Sequence, residues 1–277
     1  MRTLVISAIL LISIFCGSVE APPKKVMIDV SHSLENVNAE VNTVALRTIL
    51  PEFSFHQNNR ALTENRLEEY NVVMVYQPYS ILEDSEIQAL KAFVKNGGGL
   101  IICGEHDVGW NDASRASYNT LVSTFGVTFM SNAIDDPTNK RGCYCTPVIH
   151  NFLDHPLTRD ISQIVLFKPC SLQVSGNAVA LARGDDDTYT VGSDEVEGED
   201  VIVVAISEYG RGRVIVMGTN TAFVDSFINQ PDNQEFSKNC FRWVSEQAAP
   251  EGEFLGTVVI IAAIIGVLML FIIAKRK

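Results

Sequence analysis

The chain has 277 residues, is 47% hydrophobic and carries a formal net charge of −12, from 21 Lys and Arg against 33 Asp and Glu. That apolar content excludes a disordered chain, and the length supports a domain with a sizeable core. The acidic balance argues against a nucleic-acid partner, because a surface of this sign repels phosphate backbones.

Arg2, the apolar run Leu4 to Phe15 and the small residues Gly17 and Ser18 have the layout of a secretory signal, expected over residues 1–21. Val26 to Val30 reads as a buried strand ending at Ser31, His32 and Ser33. Asn36 or Asn38 caps the next segment, a helix in which Val41, Val44, Ala45 and Thr48 recur at helical spacing until Pro51. Phe53 to His56 is a short second strand, Thr63 opens a short helix, and Val72 to Tyr76 is a third strand. Asp84 to Lys95 is a helix with Ile87, Leu90, Phe93 and Val94 facing inward; Asn96 and Gly97 stop it, and Leu100 to Cys103 is the fourth strand. Strands and helices alternating at this spacing imply βαβ units and a parallel sheet.

Ser114 to Phe125 continues the helical pattern, and 132–156 is rich in loops. The texture then changes to short strands at Ser171–Val174, Ala178–Ala182, Val201–Ser207 and Val214–Met217, with a hairpin turn signal at Tyr209 to Arg213. Asp232 to Glu246 closes the domain with a helix. Residues 248–254 form an acidic stalk leading to Leu255–Ala274, an uncharged apolar run long enough to span a bilayer core of about 30 Å. Lys275, Arg276 and Lys277 follow at once, so the tail 275–277 is expected to be cytoplasmic and the body outside. Taking those three cations away from the formal charge of −12 leaves −15 on the rest, with Arg2 and Glu20 cancelling. The expected product is a single-pass, type I protein of the cell membrane.

Chemistry concentrates in the run Gly97 to Asp107, where a glycine turn feeds an apolar strand that ends in Cys103, Glu105, His106 and Asp107. Ligands in open α/β sheets gather beyond the carboxyl ends of the strands. His32, Glu105, His106, Asp107 and Asn220 all follow strands and form the expected ligand crevice. Two histidines and a carboxylate can hold a divalent metal with a position open for water. His32 and His106, with His150 or His155 from the long loop, are the candidate ligands; Glu105 or Asp107 would be the general base of a metal-assisted hydrolase. The competing reading makes the same side chains caps and loop ties. The acids between Asp185 and Asp200 read as a solvated hairpin tip, since they lack the alternation of an EF-hand loop.

Five cysteines follow the signal segment, Cys103, Cys143, Cys145, Cys170 and Cys240, and an odd count leaves at least one free. A bridge is expected from Cys143 or Cys145 to Cys170, with Cys145–Cys170 the pairing carried forward.

Several segments, in this order, resemble the class I glutamine-amidotransferase-like superfamily over residues 25–247. They are Asp29 to His32, the Gly97 to Asp107 run, His155 to Thr158, Gly210 to Val214, and Asp232 to Phe236 before a helix ending near Trp243. The likeness is to a branch with domains of unknown function and auxiliary ectodomains of ABC-type and gliding-motility transport systems. The amino-terminal domain of the intraflagellar-transport 52 protein and the trehalose-utilisation family resemble it more distantly. The resemblance implies a flavodoxin-like parallel sheet with helices on both faces and a β-rich C-terminal half, to which the apolar run Leu255–Ala274 adds one C-terminal transmembrane helix. It also puts Cys103 at the nucleophile strand. The catalytic pattern departs there: Ile101 and Glu105 replace the flanking glycines, and no histidine occurs near Gly218 to Thr221. Cys103 is therefore expected as a buried core thiol, and the chain as a non-enzymatic ligand- or partner-binding protein with a membrane or extracytoplasmic protein partner.

Overall fold

A computed structural model describes residues 22–34, 37–76, 78–106 and 109–248. The expected signal segment, the apolar run Leu255–Ala274, the tail 275–277 and Asp107 lie outside the described residues. Among the described residues no helix is long and apolar enough to cross a membrane.

The first half alternates strand and helix. In chain order come β1 (Lys24–Asp29), α1 (Ala39–Asn42), α2 (Val44–Ile49), β2 (Phe53–Asn58), α3 (Glu64–Leu67), β3 (Val72–Val75), α4 (Asp84–Lys95), β4 (Gly99–Cys103) and α5 (Asp112–Val122). The second half is mostly strand. It holds β5 (Val127–Phe129), β6 (Asn132–Asp135), β7 (Val148–Ile149), β8 (Asn151–Phe152), β9 (Ile164–Val165), β10 (Leu172–Val174), β11 (Val179–Arg183), β12 (Tyr189–Gly192), β13 (Ile202–Tyr209), β14 (Gly212–Met217) and finally α6 (Asn233–Val244).

The main sheet runs β2-β1-β3-β4-β14-β13-β10-β5, with β11 also on β13 and β8 on β11. Its first five strands are parallel, and β13, β10 and β5 continue it antiparallel. The hairpin at Tyr209 to Gly212 turns the chain back so that β14 becomes the fifth parallel strand beside β4. Register pairs Asp29 with Val75, Val75 with Ile102, and Cys103 with Met217. The carboxyl ends of β1, β3, β4 and β14 thus meet along one edge, the crest.

Alternating side chains on these strands fill two cores. Ile28, Met74, Ile101 and Met217 pack under α2 and α6, which contribute Leu46, Phe236 and Phe241. Met27, Val73, Ile102 and Val216 pack under α4 and α5, which contribute Leu90, Val94, Tyr118 and Leu121. Strands buried on both faces read as continuous apolar runs, and a helix laid on each face removes about 25 cal/mol per Å² of apolar surface from water. Phe241 meets Phe53, Phe55 and Phe223 edge-on at centroid distances of 5.4–6.1 Å.

Two expectations are corrected here. The single helix over Val41 to Thr48 is broken at Thr43, whose hydroxyl donates to the Ala39 carbonyl at 2.7 Å. The break turns Leu46 inward and leaves Val41 and Val44 exposed, at 61% and 52%. The Cys145–Cys170 bridge is not formed either. Cys143 pairs with Cys145, their Cα atoms 5.2 Å apart, while Cys170 is a free thiol buried beside Gly104 and Phe129. The pairing is local because the backbone of Cys170, held by the Gly218 carbonyl at 3.0 Å, points its thiol into the core. We expect non-reducing tryptic mapping to recover residues 142–159 as one peptide lighter by two hydrogens, and Cys170 to alkylate only after unfolding. A crosslinked pair of peptides containing Cys170 would contradict this pairing.

Candidate functional site

At the end of β1 the Asp29 carboxylate is almost fully buried. Its Oδ1 accepts from the Ser31 hydroxyl at 2.7 Å and from Asn58 Nδ2 at 2.6 Å. Its Oδ2 faces His32 Nδ1 at 3.1 Å, and His32 Nε2 lies 2.9 Å from Glu86 Oε2. Glu86 is the N3 residue of α4, closing a capping box with Glu83, and its Oε1 accepts from the Leu62 N–H at 2.9 Å. A carboxylate at each ring nitrogen favours the imidazolium form of His32, which can donate to both. Burial pulls its pKa down, but the Asp29 hydrogen bond and the charges of Asp29 and Glu86 outweigh that and hold it above the ordinary 6.5. Burial likewise pushes Glu86 up; the N–H groups of Leu62 and Glu83 and the charge of His32 prevail and hold it below the ordinary 4.5.

Ser31 Oγ is 2.9 Å from His32 Nδ1, so a serine, a histidine and a glutamate stand in contact. The hydrogen bonding weighs against an activated nucleophile: the Ser31 proton is donated to Asp29, and both His32 nitrogens face carboxylates.

The remaining predicted residues are scattered. Glu105 Oε1 accepts from the backbone N–H of His106 at 3.0 Å and pairs with its Nδ1 at 2.5 Å, a tie within one turn of chain. His150 is exposed and donates to the Ser162 carbonyl at 3.2 Å. His155 caps a short turn through the Leu157 N–H and lies edge-on to Trp243. The expected metal set His32, His106 and His150 therefore does not assemble, because each imidazole is engaged with a different element. Among the described residues, the one group of candidate ligand atoms within 4.8 Å of one another is Asp136, Asp185 and Asp187. Two of these belong to the loop expected to be a solvated tip. Asp136 is committed to the N–H groups of Thr138 and Asn139 and to the Thr188 hydroxyl, so the cluster staples that loop to the 136–139 turn.

The crest carries a second pocket besides the one of about 610 Å³ that Ser31, His32 and Glu86 line. A pocket of about 580 Å³ lies beyond the ends of β3 and β14, with Tyr76 and Asn220 in its wall. Gly218 makes this approach possible: a Cβ there would stand 2.0 Å from the Cys170 carbonyl. Asn220 is 5% exposed, and its Nδ2 finds no hydrogen-bond partner among the described residues. Burial raises the Tyr76 pKa to about 12 against the hydrogen bond from Asn42, with the Asp225 charge adding to the rise, so the phenol is neutral. Asp225 accepts the N–H groups of Val44 and Ala45 at 3.1 and 2.9 Å, which fixes α2 over the pocket. Phe167 and Phe227 form its aromatic lip, ring centroids 5.8 Å apart. Of the predicted crevice residues among those described, only Asn220 lines this pocket. Tyr76 and Asp225 went unremarked in the sequence; the position of Tyr76 at a strand end was the signal available. Cys103 is buried with its thiol pKa pushed up by burial and by the Glu105 charge, which keeps it protonated.

The family described as "Domain of unknown function (DUF4350)" matches residues 57–241. The chain belongs to this family. No curated protein matches it in sequence. Among solved structures it is similar to the mmIFT52 N-terminal domain, with 17% identity, 79% of this chain and 97% of that one covered, and a TM-score of 0.64. It is also similar to the cytoplasmic protein STM3548 from Salmonella typhimurium, at 13% identity, 80% and 99% coverage and a TM-score of 0.56. A ThuA-like protein from Bacteroides uniformis is similar at 18% identity, 81% and 92% coverage and a TM-score of 0.50. At these identities the likeness is one of fold, and function has to be argued from the site.

Two outcomes follow from the crest. Conversion His32→Leu leaves two buried carboxylates without their cation and is expected to cost about 3–5 kcal/mol in urea unfolding. In the parent chain the His32 contribution is complete below its unfolded value of 6.5 and is lost as pH rises through the higher folded value; the Glu86 contribution is complete above 4.5 and is lost as pH falls through the lower folded value. Stability should therefore decline on the alkaline side of that window, and the decline should be absent in the variant. Asn220→Leu is expected to leave the melting temperature unchanged or raised, since burying an unpaired donor costs about 1–3 kcal/mol.

Proposed function

We propose that the chain is a membrane-anchored, extracytoplasmic ligand- or partner-binding protein that acts as an accessory to a transport complex, without amidotransferase catalysis. We read its sheet as flavodoxin-like, from the β2-β1-β3-β4-β14 order of the parallel strands. The observation that carries the binding reading is the crest pocket of about 580 Å³ lined by Tyr76, Asn220 and Asp225 at the carboxyl ends of the parallel strands. The anchor rests on Leu255–Ala274 followed by three cations, and the transport association rests on the motif order resembling auxiliary ectodomains. The commitment of His32 to Asp29 and Glu86 weighs against the metal-assisted hydrolase.

The full chain is expected to sediment with membranes, to resist alkaline carbonate, and to be released by detergent. Externally added protease should digest its body in intact cells. Purified chain should hydrolyse generic ester, amide and phosphate substrates at the background rate with or without added zinc. Release by carbonate would remove the anchor from this reading. Zinc-dependent turnover lost in His106→Ala would replace it with the hydrolase.

A further inference from the structure

The Cys143–Cys145 bridge adds little to the hold of the fold. A disulfide stabilises a chain largely through the loop it closes in the unfolded state, and that gain grows with loop length. This one closes over a single residue, Tyr144, where the gain is smallest. The turn around it is already held by its backbone. The Asp136 N–H donates to the Tyr144 carbonyl at 3.0 Å and the Arg141 N–H to the Thr146 carbonyl at 2.9 Å. The Thr146 N–H returns to the Cys143 carbonyl at 3.1 Å, and the Lys168 N–H reaches the Cys145 carbonyl at 2.8 Å. None of these bonds involves a sulfur atom.

The pair is placed for exchange instead. Cys143 is exposed and Cys145 half-buried, whereas Cys103, Cys170 and Cys240 are free thiols shut in the core. Gly142 leaves the approach to Cys143 open: its φ is +84°, and a Cβ there would meet nothing within 4 Å. Thr146 Oγ1 lies 3.4 Å from Cys143 Sγ, where its O–H can donate to a thiolate. The Lys140 ammonium, 3.9 Å from the centroid of the Tyr144 ring, brings positive charge to the same turn. A donor and a cation favour thiolate over thiol and make the sulfur a better leaving group, and exposed disulfides are the labile ones. Tyr144, 53% exposed, offers an aromatic ring beside the bridge to an unfolded segment.

We propose that Cys143 and Cys145 form a thiol–disulfide exchange site that oxidises a dithiol of an unfolded protein, with the mixed disulfide formed at Cys143. A substrate thiolate attacks Cys143 Sγ; the intermolecular S–S bond forms as the Cys143–Cys145 bond breaks, and the electron pair leaves on Cys145 Sγ, which takes a proton from water. The second substrate thiolate then attacks the substrate sulfur of the mixed disulfide, forming the substrate disulfide and expelling Cys143 as a thiolate beside Thr146. The substrate gives up two electrons and two protons, and the cysteine pair gains two of each. A low-molecular-weight disulfide restores the bridge by the same two exchanges in reverse. This chemistry does not depend on the binding function proposed above.

The test uses the full chain in detergent, reduced and unfolded ribonuclease A as the dithiol probe, and oxidised glutathione as the terminal oxidant. The chain is expected to speed disulfide formation in the probe at least about tenfold over glutathione alone. Cys143→Ser and Cys145→Ser should each abolish that acceleration. Cys145→Ser should also hold a mixed disulfide between Cys143 and the probe, visible by mass. The double variant Cys143→Ser/Cys145→Ser should melt at the parent temperature, which separates loss of exchange from loss of fold. Acceleration that survives in both single variants would place the activity elsewhere and overturn the site. No acceleration by the parent chain would overturn the exchange function, and a lowered melting temperature in the double variant would then make the bridge a structural one.

Discussion

Asp29 carries a charge at the end of a central strand and out of water, and the crest is arranged to compensate it. Asn58 brings the end of β2 to one of its oxygens, and His32 brings the loop after β1 to the other. His32 in turn meets Glu86 in the first turn of α4, and Glu86 receives the N–H groups of Leu62 and Glu83. One chain of alternating charge thus ties two loops and a helix start to the strand ends. Such a chain is stable only when complete, because each member removed leaves its neighbour buried and unpaired. It also holds the His32 carbonyl where the N–H groups of Tyr79 and Ser80 reach it, which closes the loop after β3.

The two sides of the crest each line a pocket and differ in how their side chains are paired. Both lie at carboxyl ends of parallel strands, where backbone groups leave the ladder and side chains of successive loops converge. On the Asp29 side both oxygens of Asp29 and both ring nitrogens of His32 are paired, and the Ser31 proton that hydrolysis would need to remove is given to Asp29. On the Tyr76 side Asp225 accepts two N–H groups from the start of α2, and the buried Nδ2 of Asn220 has no partner among the described residues. The break of the first helix at Thr43 belongs to the same design. It frees Asn42 to reach Tyr76 and sets the start of α2 on Asp225, at the cost of exposing Val41 and Val44.

The acidic loop and the cysteine pair make a related point about local sequence. Asp185 and Asp187 lie far along the chain from Asp136, and the three meet because β12 pairs with β6. Cys143 and Cys145 are neighbours in sequence and pair with each other, whereas the partner chosen from spacing alone, Cys170, is drawn into the core by the strand-end packing of Gly104 and Gly218. Loop chemistry that depends on which strands lie side by side is settled by long-range pairing.

Periodicity and punctuation by themselves determined the α/β class, the strands at Val26, Val72 and Leu100, the helix Asp84–Lys95 with its buried Ile87, Leu90 and Val94, and the buried state of Cys103. These are readable because a strand buried on both faces and a helix buried on one leave a local apolar period. The placement of Asn220 beyond a late strand was readable for the same reason. Only the tertiary structure decided that β14 runs parallel beside β4, that His32 faces Glu86 rather than His106, and that Tyr76 and Asp225 share a pocket with Asn220. Each depends on strand order and register, which bring together side chains dozens of residues apart and leave no mark on the sequence around any one of them.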